Sequence, residues 1–240
     1  LAWQIQTGDV KGPNDVGETT YQVTPLKIGN ALYLCTPHNW VMALDADSGE
    51  TLWKFDPQVE ENLQRQHQTC RGVSYYAGQA GTDNTPLIAD DTTATNEADT
   101  RDTMVQKIAG NTFDNASRQC DAKIFIPTSD AKLYALDPNT GQRCQDFGDD
   151  GALDLMHNMP FTQAGYYYST SPPVVAGDVI IVAGAVNDNY DVNSPSGVIR
   201  AYDVNTGELM WNWDSGDPEN TAPFDVNDPT QTYKTSSPNS

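Results

Sequence analysis

One stretch of this chain, Ala201-Tyr202-Asp203-Val204-Asn205-Thr206-Gly207-Glu208-Leu209-Met210-Trp211, occurs again as Ala43-Leu44-Asp45-Ala46-Asp47-Ser48-Gly49-Glu50-Thr51-Leu52-Trp53. A third copy, Ala135-Leu136-Asp137-Pro138-Asn139-Thr140-Gly141-Gln142, continues into Arg143-Cys144-Gln145 and has no tryptophan where the others carry one. Leu1-Ala2-Trp3, followed by Thr7-Gly8-Asp9, reads as the close of a fourth. Internal repetition of this kind constrains a fold more than any local propensity, because each copy must build the same unit and pack against the next.

The unit can be read from its chemistry. In Asp-x-x-Thr/Ser-Gly the carboxylate accepts backbone N–H groups two residues on, and glycine supplies the positive φ of a tight hairpin. An inner strand ending near Leu44, Leu136 or Tyr202 is thus joined to an outer strand that begins after the glycine. Trp53 and Trp211 stand on that outer strand, where an indole can pack against the neighbouring unit; burying one stabilises by roughly 2–3 kcal/mol. Upstream, Thr24 to Leu34 aligns with Ser171 to Ile181, both reading as strand, glycine-containing turn, strand. Each unit is therefore a four-stranded antiparallel meander, the shape of a propeller blade. The class is all-β.

Within the 240 residues, blades are expected at about 21–56, at 70–151 with an insertion at 78–117, and at 169–216, with partial blades at 1–9 and 232–240. Three full blades do not close a ring. The expectation is a fragment whose open blade faces and edges favour self-association. The formal net charge of -20, from 13 basic and 33 acidic residues, argues against nucleic acid as a partner. No run of about 18 apolar residues marks a membrane span. The insertion is rich in Asp, Thr, Asn and Ala and reads as a surface excursion.

Four cysteines show no metal-binding spacing and suit an oxidising compartment. Cys120 and Cys144 fall on one meander and could pair; Cys35 and Cys70 could form a second bridge, or all four could be buried thiols.

Three places invite a ligand. His38, in Cys35-Thr36-Pro37-His38-Asn39-Trp40, lies at a turn between inner strands, which in a propeller faces one mouth of the channel; it is either a site residue or an ordinary loop histidine. Arg71 is one of few basic residues and meets either an anionic partner or a neighbouring carboxylate. Asn187-Asp188-Asn189-Tyr190-Asp191 clusters oxygen-bearing side chains, either for a hard cation or as an Asx-rich turn.

The repeat resembles the tryptophan-docking repeat of the pyrroloquinoline quinone (PQQ) dehydrogenases. Further stretches are similar to the membrane-bound quinoprotein glucose dehydrogenases: Thr7-Gly8-Asp9-Val10-Lys11, Val23-Thr24-Pro25-Leu26-Lys27, Leu32-Tyr33-Leu34-Cys35-Thr36, Thr69-Cys70-Arg71-Gly72-Val73-Ser74-Tyr75, Ser196-Gly197-Val198-Ile199-Arg200 and Ser237-Pro238-Asn239-Ser240. The likeness covers nearly everything but 78–117. It implies part of an eight-bladed propeller at the periplasmic face of the bacterial inner membrane, oxidising glucose or another aldose to its lactone and passing electrons to ubiquinone.

The resemblance also implies roles. PQQ would lie near the channel axis with Ca²⁺ or Mg²⁺, Asp188 and Asn189 would hold the metal, Arg71 would meet quinone oxygens, and Thr170 a cofactor carboxylate. His38 would stand beside PQQ, in place of the adjacent-cysteine disulfide of soluble relatives, as the one catalytic candidate within this stretch. The general base would lie in later blades, so the piece alone should be inactive.

Two departures qualify the likeness. Gln22 stands where an acid is expected, and the insertion is long for a glucose enzyme. A quinate, shikimate or other polyol dehydrogenase is thus the alternative within the class. Outside it stands a non-enzymatic propeller scaffold of the outer-membrane assembly type, which would have no reason to bring His38, Arg71, Thr170 and Asp188 to one mouth.

Overall fold

The computed structural model describes residues 2–15, 18–60, 63, 65–78, 120–160, 163–187 and 194–234. Nearly all of the 78–117 insertion lies outside them, with its tripeptide Asn115-Ala116-Ser117, which fits the glycosylation pattern Asn-x-Ser/Thr, as do Ser237 to Ser240, Asp188 and Asn189. Among the described residues all sixteen elements are strands. Among the described residues no helix is long and apolar enough to cross a membrane.

Three four-stranded antiparallel meanders carry the repeat. The first is β2 (Leu26–Ile28), β3 (Ala31–Cys35), β4 (Val41–Asp45) and β5 (Thr51–Phe55). The second is β7 (Ser74–Tyr76), β8 (Lys123–Pro127), β9 (Lys132–Leu136) and β10 (Ala152–Asp154). The third is β12 (Val174–Ala176), β13 (Val179–Ala183), β15 (Ile199–Asp203) and β16 (Leu209–Trp213). Two short pairs complete the set: β1 (Glu18–Thr19) runs parallel to β6 (His67–Gln68), and β11 (Tyr167–Tyr168) antiparallel to β14 (Ala185–Val186).

The Asp-x-x-Thr/Ser-Gly segments make the same turn three times. Asp45 Oδ1 accepts from the N–H of Asp47 (3.0 Å) and Ser48 (2.8 Å), Asp137 Oδ1 from Asn139 (2.8 Å) and Thr140 (3.0 Å), and Asp203 Oδ1 from Asn205 (2.9 Å) and Thr206 (2.8 Å). These donors hold the Asp45 carboxyl below its usual range, the Ser48 backbone N–H first among them. On the outer strands Trp53 stands opposite Ala43 and Trp211 opposite Ala201, each beside a register shift at the next residue. A small residue across the ladder leaves room for the indole.

Trp3 and Trp53 each dock on the following sheet. Trp3 Nε1–H donates to the Ala46 carbonyl (3.1 Å) and Trp53 Nε1–H to the Pro138 carbonyl (2.8 Å), which also accepts the Tyr33 hydroxyl (3.0 Å). The repeat glycine is needed twice over. Its φ is +74° at Gly49 and +70° at Gly141, and a Cβ there would fall inside the ring of Trp3 or Trp53.

Between the second and third sheets no indole is present, because the copy that leads there lacks it. The Gly148 N–H donates instead to the Thr206 carbonyl (2.9 Å), and Leu153 reaches over Gly207. Trp53→Phe should lower unfolding free energy by about 1–2 kcal/mol through a lost hydrogen bond and lost area. Gly141→Ala should cost more, since it adds left-handed strain and a clash with the ring. Denaturant midpoints check both, and an unchanged midpoint for Gly141→Ala would contradict the docking.

Both possible disulfides are present, with Cα–Cα distances of 5.9 Å for Cys35–Cys70 and 5.4 Å for Cys120–Cys144. The first ties the end of β3 to the segment entering the second sheet. The second closes the second sheet on itself beside the buried Lys123, whose Nζ donates to the Cys120 carbonyl (2.7 Å) and pairs with Asp146 (3.3 Å).

Candidate functional site

The sheets touch at their innermost strands. β7 contacts β12, the Ser74 hydroxyl donates to the Pro173 carbonyl, and a Cβ on Gly72 would meet the Thr24 carbonyl oxygen at 3.4 Å and Pro172 Cγ at 3.5 Å. Equivalent Thr/Ser-Pro and Arg-Gly segments from three repeats thus come together. Backbone bonds continue the ladder: Thr20 N–H to the Gln68 carbonyl (3.1 Å), Thr24 N–H to the Arg71 carbonyl (3.0 Å) and Arg71 N–H to the Thr170 carbonyl (2.8 Å). Segments distant in the chain run side by side here.

Arg71 and Thr170 are joined by that ladder and by their side chains. The guanidinium donates through one terminal nitrogen to the Thr170 hydroxyl and through Nε to Gln22 Oε1 (3.0 Å). Arg71 is exposed and Thr170 is buried, with 9% of its surface exposed. A guanidinium has five N–H donors, and only two are engaged by these contacts. Gln22, noted above as a departure, has a physical consequence: a neutral amide satisfies Nε without neutralising the cation, as a carboxylate would. Among the described residues no ion pair takes up that charge.

His38 is held differently. Its ring Nδ1 meets Asp9 Oδ1, its Nε2 meets Asp15 Oδ1 and Oδ2 (3.1 Å each), and its backbone N–H donates to Asp9 Oδ2 (2.9 Å). Both carboxylate side chains are out of solvent, at 1% and 0%. In this arrangement neither ring nitrogen is free, so the imidazole offers a neighbouring molecule its face or carbon edge rather than a lone pair. The segment from Asp9 to Asp15 forms a strap across the turn.

Burial alone would raise the Asp15 carboxyl. The Gly12 N–H (2.6 Å to Oδ2), the His38 ring and the charge of Arg65 outweigh it and hold the group below the usual carboxylate range. A depressed folded value stabilises above the unfolded pKa of about 3.9 and is lost as pH falls through the folded value. The strap should therefore loosen below about pH 4. Protection of the His38 amide from hydrogen exchange, measured against its intrinsic rate at each pH, should fall there. Asp15→Asn should remove that acid step, and an identical step in the variant would refute the assignment.

Other buried polar atoms near these segments lack partners among the described residues. They are both amide atoms of Gln68, Arg65 Nε, Thr19 Oγ1, Asn39 Nδ2 and Ser129 Oγ. Arg65 is 3% exposed; burial lowers its pKa, countered by Asp15, Asp130 and Tyr168. Ser129 N–H donates to Asn39 Oδ1 (3.0 Å), which links the His38 turn to its counterpart in the second sheet.

The structure thus joins Arg71 with Thr170, sets His38 under the strap, and leaves Asp188 and Asn189 outside the described residues; their neighbour Asn187 accepts the Gln66 N–H (3.1 Å). Asp9, Asp15, Arg65 and Gln68 were missed. Thr7-Gly8-Asp9 was visible only as a repeat ending, and nothing local marks which turn an acidic link will cross. The cluster of Cys120, Cys144 and Asp146 offers no metal site, since its sulfurs are bonded to each other.

Residues 1–240 match the family model of PQQ-dependent enzymes described as the glucose/ethanol/alcohol dehydrogenase β-propeller domain. The chain belongs to this family. This PQQ-family propeller is 43% identical over 216 residues to quinoprotein glucose dehydrogenase A of Acinetobacter calcoaceticus, covering 90% of the chain and 24% of that protein. It is 42% identical over 241 residues to the quinoprotein glucose dehydrogenase of Escherichia coli K12, covering 100% of the chain and 26% of that protein. The chain therefore spans about a quarter of the length of these relatives. Among solved structures it is similar to a europium-containing methanol dehydrogenase, with a TM-score of 0.52 at 20% identity, covering 90% of this chain and 27% of that one. That likeness bears on the fold, an all-β propeller architecture.

The donor set fits the family's cofactor. PQQ is a flat tricarboxylic acid, and this PQQ-family propeller presents an exposed guanidinium that has no carboxylate partner among the described residues, beside a threonine hydroxyl on the same ladder.

Proposed function

We propose that this chain is part of a PQQ-dependent dehydrogenase that oxidises an aldose, glucose to gluconolactone, with electrons passed to ubiquinone at the periplasmic face of the inner membrane. The observation that carries this reading is the Arg71–Thr170 pair with Gln22 as its neutral neighbour, on a ladder where separate repeats meet. The two glucose dehydrogenase relatives, matched along most or all of this stretch, support the sugar class.

When bound, PQQ supplies a quinone that accepts hydride from the substrate C–H, and a divalent cation, Ca²⁺ or Mg²⁺, polarises its carbonyl. Arg71 holds the cofactor's oxygens through its spare N–H donors and Thr170 donates to a carboxylate, so both act on binding and orientation. His38, with both nitrogens anchored by Asp9 and Asp15, serves as a fixed wall beside the ring system. Asp188 and Asn189 are proposed as metal ligands on family grounds. The general base belongs to parts of the protein beyond this stretch.

The test is steady-state oxidation by the full-length protein reconstituted with PQQ and Ca²⁺ or Mg²⁺, across glucose, other aldoses, glycerol and quinate. Glucose should give the highest kcat/KM. A higher value for quinate or glycerol, or no turnover of any, would overturn the assignment. Reduction of a ubiquinone analogue by membranes containing the enzyme tests the acceptor.

A further inference from the structure

Between the second and third sheets, away from the Arg71 ladder, lies a cavity of about 730 Å³. Volumes of roughly 300–1,000 Å³ suit small-molecule ligands. Its position follows from the repeat. At the preceding junction Trp53 fills the slot above Gly141, whereas here the tryptophan is replaced, and Leu153 and Gly148 cover Gly207 only in part. The cavity opens from that slot along the outer strands β10 and β16, at the opposite edge of each sheet from the touching strands β7 and β12.

Its wall includes Arg200, which is 2% exposed. The guanidinium donates to the Leu155 carbonyl (2.6 Å) and the Tyr167 hydroxyl (3.1 Å), and the rings of Tyr167 and Tyr233 lie 5.5 and 5.7 Å from its carbon. Its Nε has no hydrogen-bond partner, and no ion pair reaches it among the described residues. A buried cation ringed by phenols lacks the countercharge that normally offsets its desolvation. The rim is of opposite character: the carboxylates of Asp149, Asp154, Glu208 and Asp225 are exposed, while Leu209 and Phe224 form an apolar wall.

We propose that this cavity binds a small polyhydroxylated carboxylate, a sugar acid. The ligand carboxylate meets Arg200, its hydroxyls donate to Asp154 and Glu208, and its C–H face lies on Phe224 and Leu209. A compact dianion satisfies only the guanidinium and is repelled by the rim. A neutral polyol satisfies only the rim. The proposal stands on the cavity's own chemistry and does not depend on the reaction performed at the ladder.

Calorimetric titration of the full-length holoenzyme with D-gluconate, sorbitol and propionate tests it. Gluconate should show one saturable site and the other two should bind at least about tenfold more weakly, the scale of a charge-assisted hydrogen bond. Arg200→Met should weaken gluconate by about tenfold or more. The exposed double variant Asp154→Asn/Glu208→Gln should weaken it severalfold with sugar oxidation kcat/KM unchanged, and it decides the matter if the Arg200 variant fails to fold. Absence of gluconate binding, binding that survives the rim variant undiminished, or equal binding of propionate or sorbitol would each overturn the proposal.

Discussion

Replacing Arg71 by alanine in the full-length protein is expected to weaken PQQ binding by about 10- to 100-fold, the equivalent of a hydrogen bond to a charged group worth roughly 1.5–3 kcal/mol. The expectation rests on an exposed guanidinium whose known contacts, Gln22 Oε1 and the Thr170 hydroxyl, are both uncharged. Arg71→Lys should fall between, since an ammonium keeps the charge but loses the planar fork. Gln22→Glu tests the same electrostatics from the other side. A carboxylate within reach of Nε would pair with Arg71 and compete with the cofactor, so affinity should drop although no donor has been removed. Equilibrium titration of the apoenzyme with PQQ reads all three without relying on turnover. An unchanged dissociation constant for Arg71→Ala would remove this residue from the site.

The second large effect concerns the Cys35–Cys70 bridge. For a sequence separation of 35 residues, loss of the cross-link should lower unfolding free energy by about 3–4 kcal/mol. Cys35 precedes His38 by one turn, and Cys70 is adjacent to Arg71, so the bridge also fixes the spacing of the two segments that bear the candidate cofactor contacts. Cys35→Ser/Cys70→Ser should therefore lose PQQ affinity as well as stability. Cys120→Ser/Cys144→Ser, which opens a 24-residue separation within one sheet, should lose a similar stability with cofactor affinity little changed. Denaturant unfolding combined with PQQ titration separates the two. Equal loss of affinity in both variants would mean that the first bridge has no special bearing on the site.

Much of the architecture was readable because the repeat states its chemistry locally. Asp45, Asp137 and Asp203 each cap a turn through neighbours two and three residues on, so the hairpins could be derived from adjacent residues alone. The docking of Trp53 was legible as an outward-facing indole. The second constraint on the repeat glycine was not, since the Cβ clash at Gly141 comes from a ring 88 positions earlier in the chain. The site divides the same way. Arg71 and Thr170 stood out by residue type and by resemblance. The strap of Asp9 and Asp15 over His38 did not, because a flexible acidic link has no period or spacing that tells which turn it will cross. Arg200 was invisible as a cavity residue: it is the second residue of the strand Ile199–Asp203, where nothing in the sequence tells an inward-facing arginine from a solvated one, and the tyrosines brought from Tyr167 and Tyr233 define its surroundings.

The direction of tryptophan docking carries over to biosynthesis. Trp3 rests on the turn after β4 and Trp53 on the turn after β9, so each indole waits for a unit that leaves the ribosome later. A nascent chain halted after Phe55 would expose the Trp53 ring until synthesis reached Pro138, 85 positions beyond the tryptophan, and supplied its carbonyl. That interval is spent unpaired, and it ends only when the succeeding unit arrives to cap its predecessor.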